Sequence, residues 1–138
     1  MRTLTRDDYI SYYPLIREFR ETTFTESEFK NYIDSLPSNM EIWVMEEEGK
    51  MLATATIIFE PKLIFNISTY AHIEDVCVTK KLRGTGIGST LMKFITERCK
   101  EKNCKKVTLC CNESVSSFYI KNSFEKRGIQ CCILLKND

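Results

Sequence analysis

Arg83-Gly84-Thr85-Gly86-Ile87-Gly88 is the stretch on which the reading of this 138-residue chain turns. Three glycines in six residues open backbone conformations closed to other residues and let an anion approach the main chain closely. Beyond them, Ile87, Leu91, Met92, Ile95 and Cys99 recur at helical spacing, and Lys93, Glu97, Arg98, Lys100 and Glu101 occupy the remaining positions. A helix that starts here points its unpaired N–H groups, and the positive end of its dipole, at whatever the loop holds. An extended run, Ala71 to Val78, precedes the loop, and Lys105 to Cys111 returns as a strand. Strand, loop, helix and strand in that order make a crossover, so the two strands are parallel neighbours. On the residues alone the loop reads either as a pyrophosphate cradle or as a tight strand-to-helix turn. It is not a nucleotide-triphosphate loop, because no Gly-Lys-Ser/Thr follows, and its spacing departs from the G-x-G-x-x-G of dinucleotide-binding folds.

Outward from this unit, Thr5 and Asp8 precede a helical pattern with Ile10, Tyr13, Ile16 and Phe19 on one face and a bend expected at Pro14. Thr25 and Glu28 repeat the capping pattern ahead of Phe29, Tyr32 and Ile33. Ile42 to Met45 and Met51 to Phe59 read as a hairpin turned at Gly49, followed by a loop through Pro61. Ser114 to Lys121 is a short helix, and Gly128 to Leu135 a last β-run. The expected fold is α/β, one domain over residues 1–138. It has a mixed, mostly antiparallel sheet, helices on both faces and one parallel βαβ crossover.

Composition excludes several classes of function. Twenty basic against 19 acidic residues leave a net charge of +1, so no overall field draws the chain to nucleic acid or to an anionic membrane. The first residues mix Arg2, Arg6, Asp7 and Asp8 into apolar neighbours, unlike a secretory signal. No run approaches the roughly 20 apolar residues of a membrane span. A cytoplasmic protein is expected. The seven cysteines form no C-x-x-C pair and are odd in number, which argues for reduced, buried thiols and against a metal site or a disulfide framework.

Arg83-x-x-Gly86-x-Gly88 after a central strand resembles the coenzyme A signature of the GNAT superfamily of N-acetyltransferases. Within it, His72-Ile73-Glu74-Asp75-Val76 and Phe118-Tyr119-x-Lys121 are similar to the glucosamine-6-phosphate N-acetyltransferases, and the likeness runs from about Thr23 to Lys136. The resemblance implies acetyl-CoA as co-substrate and an amino-sugar phosphate as acceptor, with no metal. It assigns Val76, Cys77 and Val78 to the pantetheine and the backbone of Arg83, Gly84, Thr85, Gly86, Ile87, Gly88 and Ser89 to the pyrophosphate. Phe118, Tyr119 and Lys121 complete the coenzyme site, and the last β-run implies a homodimer that exchanges this strand.

Thioester aminolysis needs a neutral amine and a proton for the departing thiolate. Tyr119 is the candidate general acid; read structurally, it is half of a packed Phe118-Tyr119 pair. Glu74 and Asp75 are consecutive in a strand, so they are expected on opposite faces. Resemblance puts both on the amino sugar with Glu74 as candidate base, and the plainer reading is a salt bridge at a strand edge. Lys62, Lys105 and Lys106 are the cations available for a phosphate, although a lone lysine is ordinarily a solvated surface residue. The resemblance also brings Cys110 to the acceptor side, where relatives carry an acidic residue. Val115, Ser123 and Leu134 depart from the pattern too, standing for asparagine, glycine and arginine, with Lys136 near the last. A shortened segment between Phe19 and Thr23 leaves Arg20 or Thr22 to face the acceptor. The rival readings are acetylation of a protein N-terminus, a polyamine or another small amine, and an acyl-CoA-binding regulator without catalysis.

Overall fold

Two helices lie between the first strand and the rest of the sheet. The computed structural model describes residues 1–136. A two-residue strand β1 (Arg2–Thr3) leads into α1 (Tyr9–Phe19) and α2 (Glu26–Asp34). At the start of α2 the capping box forms as expected. The Thr25 hydroxyl accepts from the Glu28 N–H, and the Glu28 carboxylate accepts from the Thr25 N–H. Ahead of α1 the same residue types behave differently. Thr5 donates from its N–H and hydroxyl to the Asp8 carboxylate at 2.7 and 3.0 Å, a turn that precedes the helix. The expected inward face of α1 is also corrected: Ile10 is 77% exposed while Tyr12 and Leu15 are buried.

β2 (Met40–Glu47) and β3 (Lys50–Lys62) form the antiparallel hairpin, with Gly49 at φ +76. β3 runs through the expected loop at Pro61. Pairing with β2 ends at Met40 and Ile58, so the proline's missing donor falls where β3 has a neighbour on one side only. A single turn, α3 (Ile64–Ile67), with Phe65 and Asn66 in the left-handed region, carries the chain into β4 (Ser68–Val78). After a short 3₁₀ turn, Lys80–Leu82, come α4 (Ile87–Glu101), β5 (Cys104–Leu109) and α5 (Ser116–Lys121). The strands lie in the order β1-β2-β3-β4-β5; β4 and β5 are parallel and all other pairs antiparallel. The expected mixed sheet and crossover are present.

Each face of the sheet has its own core. Ala53, Ala55, Ile57, Ala71 and Ile73 pack under Leu91, Met92 and Ile95 of α4. On the other face Ile42, Val44 and Cys77 pack against Tyr12 and Leu15 of α1 and Phe29 of α2. β4 serves both. Ala71 and Ile73 belong to the α4 side, yet Cys77, four residues further and of the same parity, belongs to the α1 side. A β-bulge makes the switch: Thr56 pairs with Glu74 and Thr54 with Cys77, so two residues of β4 oppose the single Ala55. Asp75 in the bulge has φ +52.

The expected last strand is not formed. Gly128 to Leu135 has no sheet partner, and Ile129, Ile133, Leu134 and Leu135 are 79–92% exposed. An apolar β-run without a neighbouring strand gains neither ladder hydrogen bonds nor burial within one chain. β5 also stops at Leu109, before Cys110 and Cys111.

Candidate active site

Because the β4–β5 ladder pairs Thr69–Ile73 with Cys104–Leu109 and then ends, the two chains part at Glu74 and Cys110. The gap is a cleft of about 780 Å³. The second half of β4 forms one wall, Leu109 to Asn112 the other, and the glycine loop and α5 close its ends. The backbone of Val76 to Val78 has no β5 partner along the edge that faces the opening, and the Val78 carbonyl there accepts from Arg83.

The approach to the loop is held in place. Glu18 of α1 accepts from the Lys80 N–H at 2.9 Å and the Thr79 hydroxyl at 3.3 Å, and Arg83 donates through Nε to the Val78 carbonyl at 3.2 Å. Gly84 and Gly86 have φ of +80 and +92, and a Cβ built on either meets nothing within 4 Å. Their lack of a side chain thus serves the backbone turn and leaves open space over the start of α4, as a pyrophosphate requires. Gly88 is different. A Cβ there would lie 3.0 Å from Phe118 Cζ, so this glycine seats α5 against the loop.

Most of the residues singled out in the sequence meet in this cleft: Glu74, Asp75, Val76, Cys77, Val78, Arg83, Gly84, Gly86, Gly88, Ser89, Cys110, Phe118, Tyr119 and Lys121. Thr85 and Ile87 belong to the loop without lining it. Tyr119 sits between Phe118 and Phe124, ring centroids 5.0 and 5.8 Å away. Partial burial, with Cys111 nearby, raises its phenol above the ordinary range, so it stays protonated at neutral pH. The packed-pair reading and the cleft reading of this residue both describe the structure.

Glu74 and Asp75, expected on opposite faces of the strand, both line the cleft, with the bulge between them and Cys77. Asp75 also reaches a second, apolar cavity of about 440 Å³ between α1, α2 and the sheet, shared with Thr22 and Phe24. Withdrawal from water, and then the neighbouring Glu74 charge, raise the Asp75 carboxyl, while Arg20 opposes the shift. Arg20 lines the cleft as well.

Lys62 and Lys106 come together outside the cleft, on the Tyr70 ring, with Nζ 5.6 and 4.8 Å from its centroid. Lys62 also pairs with Glu60 at 3.2 Å. Tyr70, His72 and Glu74 alternate onto one face of β4, so this cationic end and the Glu74 carboxylate share an open face of the sheet. Lys105, one residue from Lys106, projects from the other side of β5 and joins neither group.

Among the lining residues that the sequence does not point to are Leu82, Leu109, Cys111, Asn112 and Gln130. Cys111 and Asn112 follow a strand end that sequence placed two residues too late, and Gln130 lies in the tail read as a regular strand. His72 was quoted only as part of a motif. In the structure its Nε2 lies 2.8 Å from Glu74 Oε1 and its Nδ1 2.9 Å from Thr108 Oγ1.

Known proteins share this architecture. A glucosamine 6-phosphate N-acetyltransferase of Arabidopsis thaliana is 34% identical over 111 residues, covering 77% of this chain and 74% of its own. One from Dictyostelium discoideum is 26% identical over 97% of this chain and 89% of its own. The crystal structure of the Arabidopsis enzyme superposes with a TM-score of 0.89 at 31% identity, over 98% of this chain and 97% of that one. With residues 3–124 matching the acetyltransferase (GNAT) family model, over the same glycine loop and splayed strands, the chain belongs to that family.

Proposed function

We propose that the chain transfers the acetyl group of acetyl-CoA to the amine of glucosamine 6-phosphate, giving N-acetylglucosamine 6-phosphate. The observation that carries this reading is the parting of β4 and β5 at Glu74. It puts a carboxylate pair, a protonated phenol and an open glycine loop around one cleft. The likeness to the glucosamine 6-phosphate enzymes over most of the chain supports the acceptor.

In this reading the backbone of Val76 to Val78 and of Arg83 to Ser89 binds acetyl-CoA, with Phe118 and Lys121 beside it. Glu74 takes a proton from the acceptor ammonium. The amine lone pair then forms the C–N bond at the acetyl carbonyl, the C–S bond breaks, Tyr119 gives its proton to the departing sulfur, and the second proton that the nitrogen sheds on becoming an amide restores the phenol. Asp75 and Arg20 border the acceptor, with Cys110 on the facing wall. Lys62 and Lys106 receive the phosphate at the Tyr70 end of the same sheet face. The exposed apolar tail supports a homodimer in the cytoplasm, in which a second copy covers residues 129–135 beside the cleft; sedimentation showing a stable monomer at micromolar concentration would exclude it.

The decisive experiment follows thiol release from acetyl-CoA with the purified chain against glucosamine 6-phosphate, glucosamine, spermidine and an N-terminal peptide. Glucosamine 6-phosphate is expected to exceed glucosamine in kcat/KM by about 10-fold or more, since one charge-assisted contact contributes about 1.5–3 kcal/mol. Equal rates on the two sugars, or preference for spermidine or the peptide, would overturn the acceptor while leaving the family intact.

A further inference from the structure

We propose that His72 is a positioning residue that aims the Glu74 carboxylate at the acceptor amine, and that Thr108 anchors the imidazole from its other nitrogen. The inference rests on Glu74 acting as the base. His72 and Thr108 are register partners across the parallel β4–β5 pair, one pair before the ladder ends. Neither lines the cleft. Glu74 is the first residue past the ladder, and its side chain is 47% exposed against 24% for His72. The carboxylate therefore begins where β5 no longer supports β4, while the ring that meets it is mounted where β4 has neighbours on both sides.

Counting donors gives the chain of hydrogen bonds a direction. An ionised carboxylate only accepts, so the proton between Glu74 and the ring belongs to His72 Nε2. In the neutral ring Nδ1 then accepts, and the hydrogen at 2.9 Å must come from the Thr108 hydroxyl. Glu74 thus sets Nε2 as the donor while Thr108 anchors the ring at Nδ1, and Nε2–H holds one oxygen of Glu74 at 2.8 Å. Its second oxygen is left for the acceptor. A flexible base on an unpaired strand is converted into an oriented one, which is what a proton transfer in a fixed geometry needs.

A histidine that merely tied β4 to β5 would show the same distances, so the test separates the two roles. His72→Ala, His72→Gln, Thr108→Val and Glu74→Gln are compared with the unmutated chain in denaturant stability, acetyl-CoA affinity by calorimetry, and kcat and KM for both substrates. His72→Ala is expected to lower kcat about 10- to 100-fold, the scale of a misplaced reacting group, with acetyl-CoA affinity unchanged. His72→Gln, whose amide nitrogen can donate from the Nε2 position, should restore most of that loss, and Thr108→Val should fall between. His72 is the single histidine of the chain, so its ring nitrogens are read without ambiguity by ¹⁵N NMR. The unmutated protein should carry its proton on Nε2, and in Thr108→Val the Nδ1 signal should lose its hydrogen-bond shift. A kcat within twofold for His72→Ala while Glu74→Gln is impaired overturns the proposal. So does an Nδ1–H ring, or a loss that follows unfolding or acetyl-CoA affinity and is not rescued by glutamine. Full turnover in Glu74→Gln removes the base itself, and with it both the reading of Glu74 and this inference.

Discussion

The two halves of β4 belong to one continuous strand and have opposite duties. From Thr69 to Ile73 the strand is paired on both sides, and Ala71 and Ile73 are sealed under α4. From Glu74 to Val78 it keeps β3 alone, carries a bulge with a left-handed aspartate, and lines the cleft. Losing one neighbour turns scaffold into site. The freed backbone groups become available to a ligand, and the second neighbour, β3, keeps them in place.

If that division is right, changes in the cleft should appear in chemistry and changes in the paired half in stability. Tyr119→Phe carries the largest expected effect: turnover falls about 10²- to 10⁴-fold, the contribution of a general acid. Acetyl-CoA affinity and the unfolding midpoint should stay nearly constant, because the packing of Phe118 and Phe124 around the ring is retained. Steady-state kinetics with calorimetry checks both halves of the statement, and undiminished turnover would make the residue a packing element.

Ile57→Ala, on β3 opposite Ile73 of the paired half, should do the reverse. Ile57 is fully buried in the α4 core and does not line the cleft, so its truncation is expected to cost about 2–5 kcal/mol in denaturant unfolding. Acetyl-CoA affinity of the remaining folded protein should change little. A stable variant with weakened coenzyme binding would erase the distinction between the halves.

The smallest effect concerns Asp75. Its carboxyl is raised in the folded chain, so its unfavourable contribution is absent below the unfolded value of about 3.9 and grows as pH rises through the folded one. Asp75→Asn should therefore stabilise the protein slightly at pH 7, with the gain disappearing near pH 3. Asparagine also tolerates φ +52. Unfolding midpoints at the two pH values decide it; a gain independent of pH would point to the backbone rather than the charge.

How much of this was legible depended on whether the responsible interactions were local. Thr25 and Glu28 announce a cap three residues apart, Gly49 a turn between two β-rich runs, and the glycine loop a crossover. Each is decided within a few positions. The inward face of α1 was misread because Ile10 is apolar yet points away from the sheet, and which face is buried is settled by a partner distant in sequence. The bulge left no trace, since strict alternation over Glu74 and Asp75 looks equally sound with one residue more or fewer opposite Ala55. His72 gave no signal either. Its role depends on Thr108, 36 residues away, being brought to the same register. The tail was read correctly as apolar and wrongly as a strand, because a strand exists only beside another.

The bulge also sets a rule about chain length. Positions 71 and 73 belong to one core and position 77 to the other, so the two ends of β4 are out of phase by one residue. Phase is a matter of counting and not of chemistry. Deleting one residue between Glu74 and Val76 would return the strand to plain alternation. Cys77 would then face α4, while Val76 and Val78, which now pack on that side, would face α1. No set of nearby substitutions restores such a shift, because every side chain beyond it inherits the error until the strand ends. The segment should accordingly accept changes of residue far more readily than changes of length, as a frame-dependent message does.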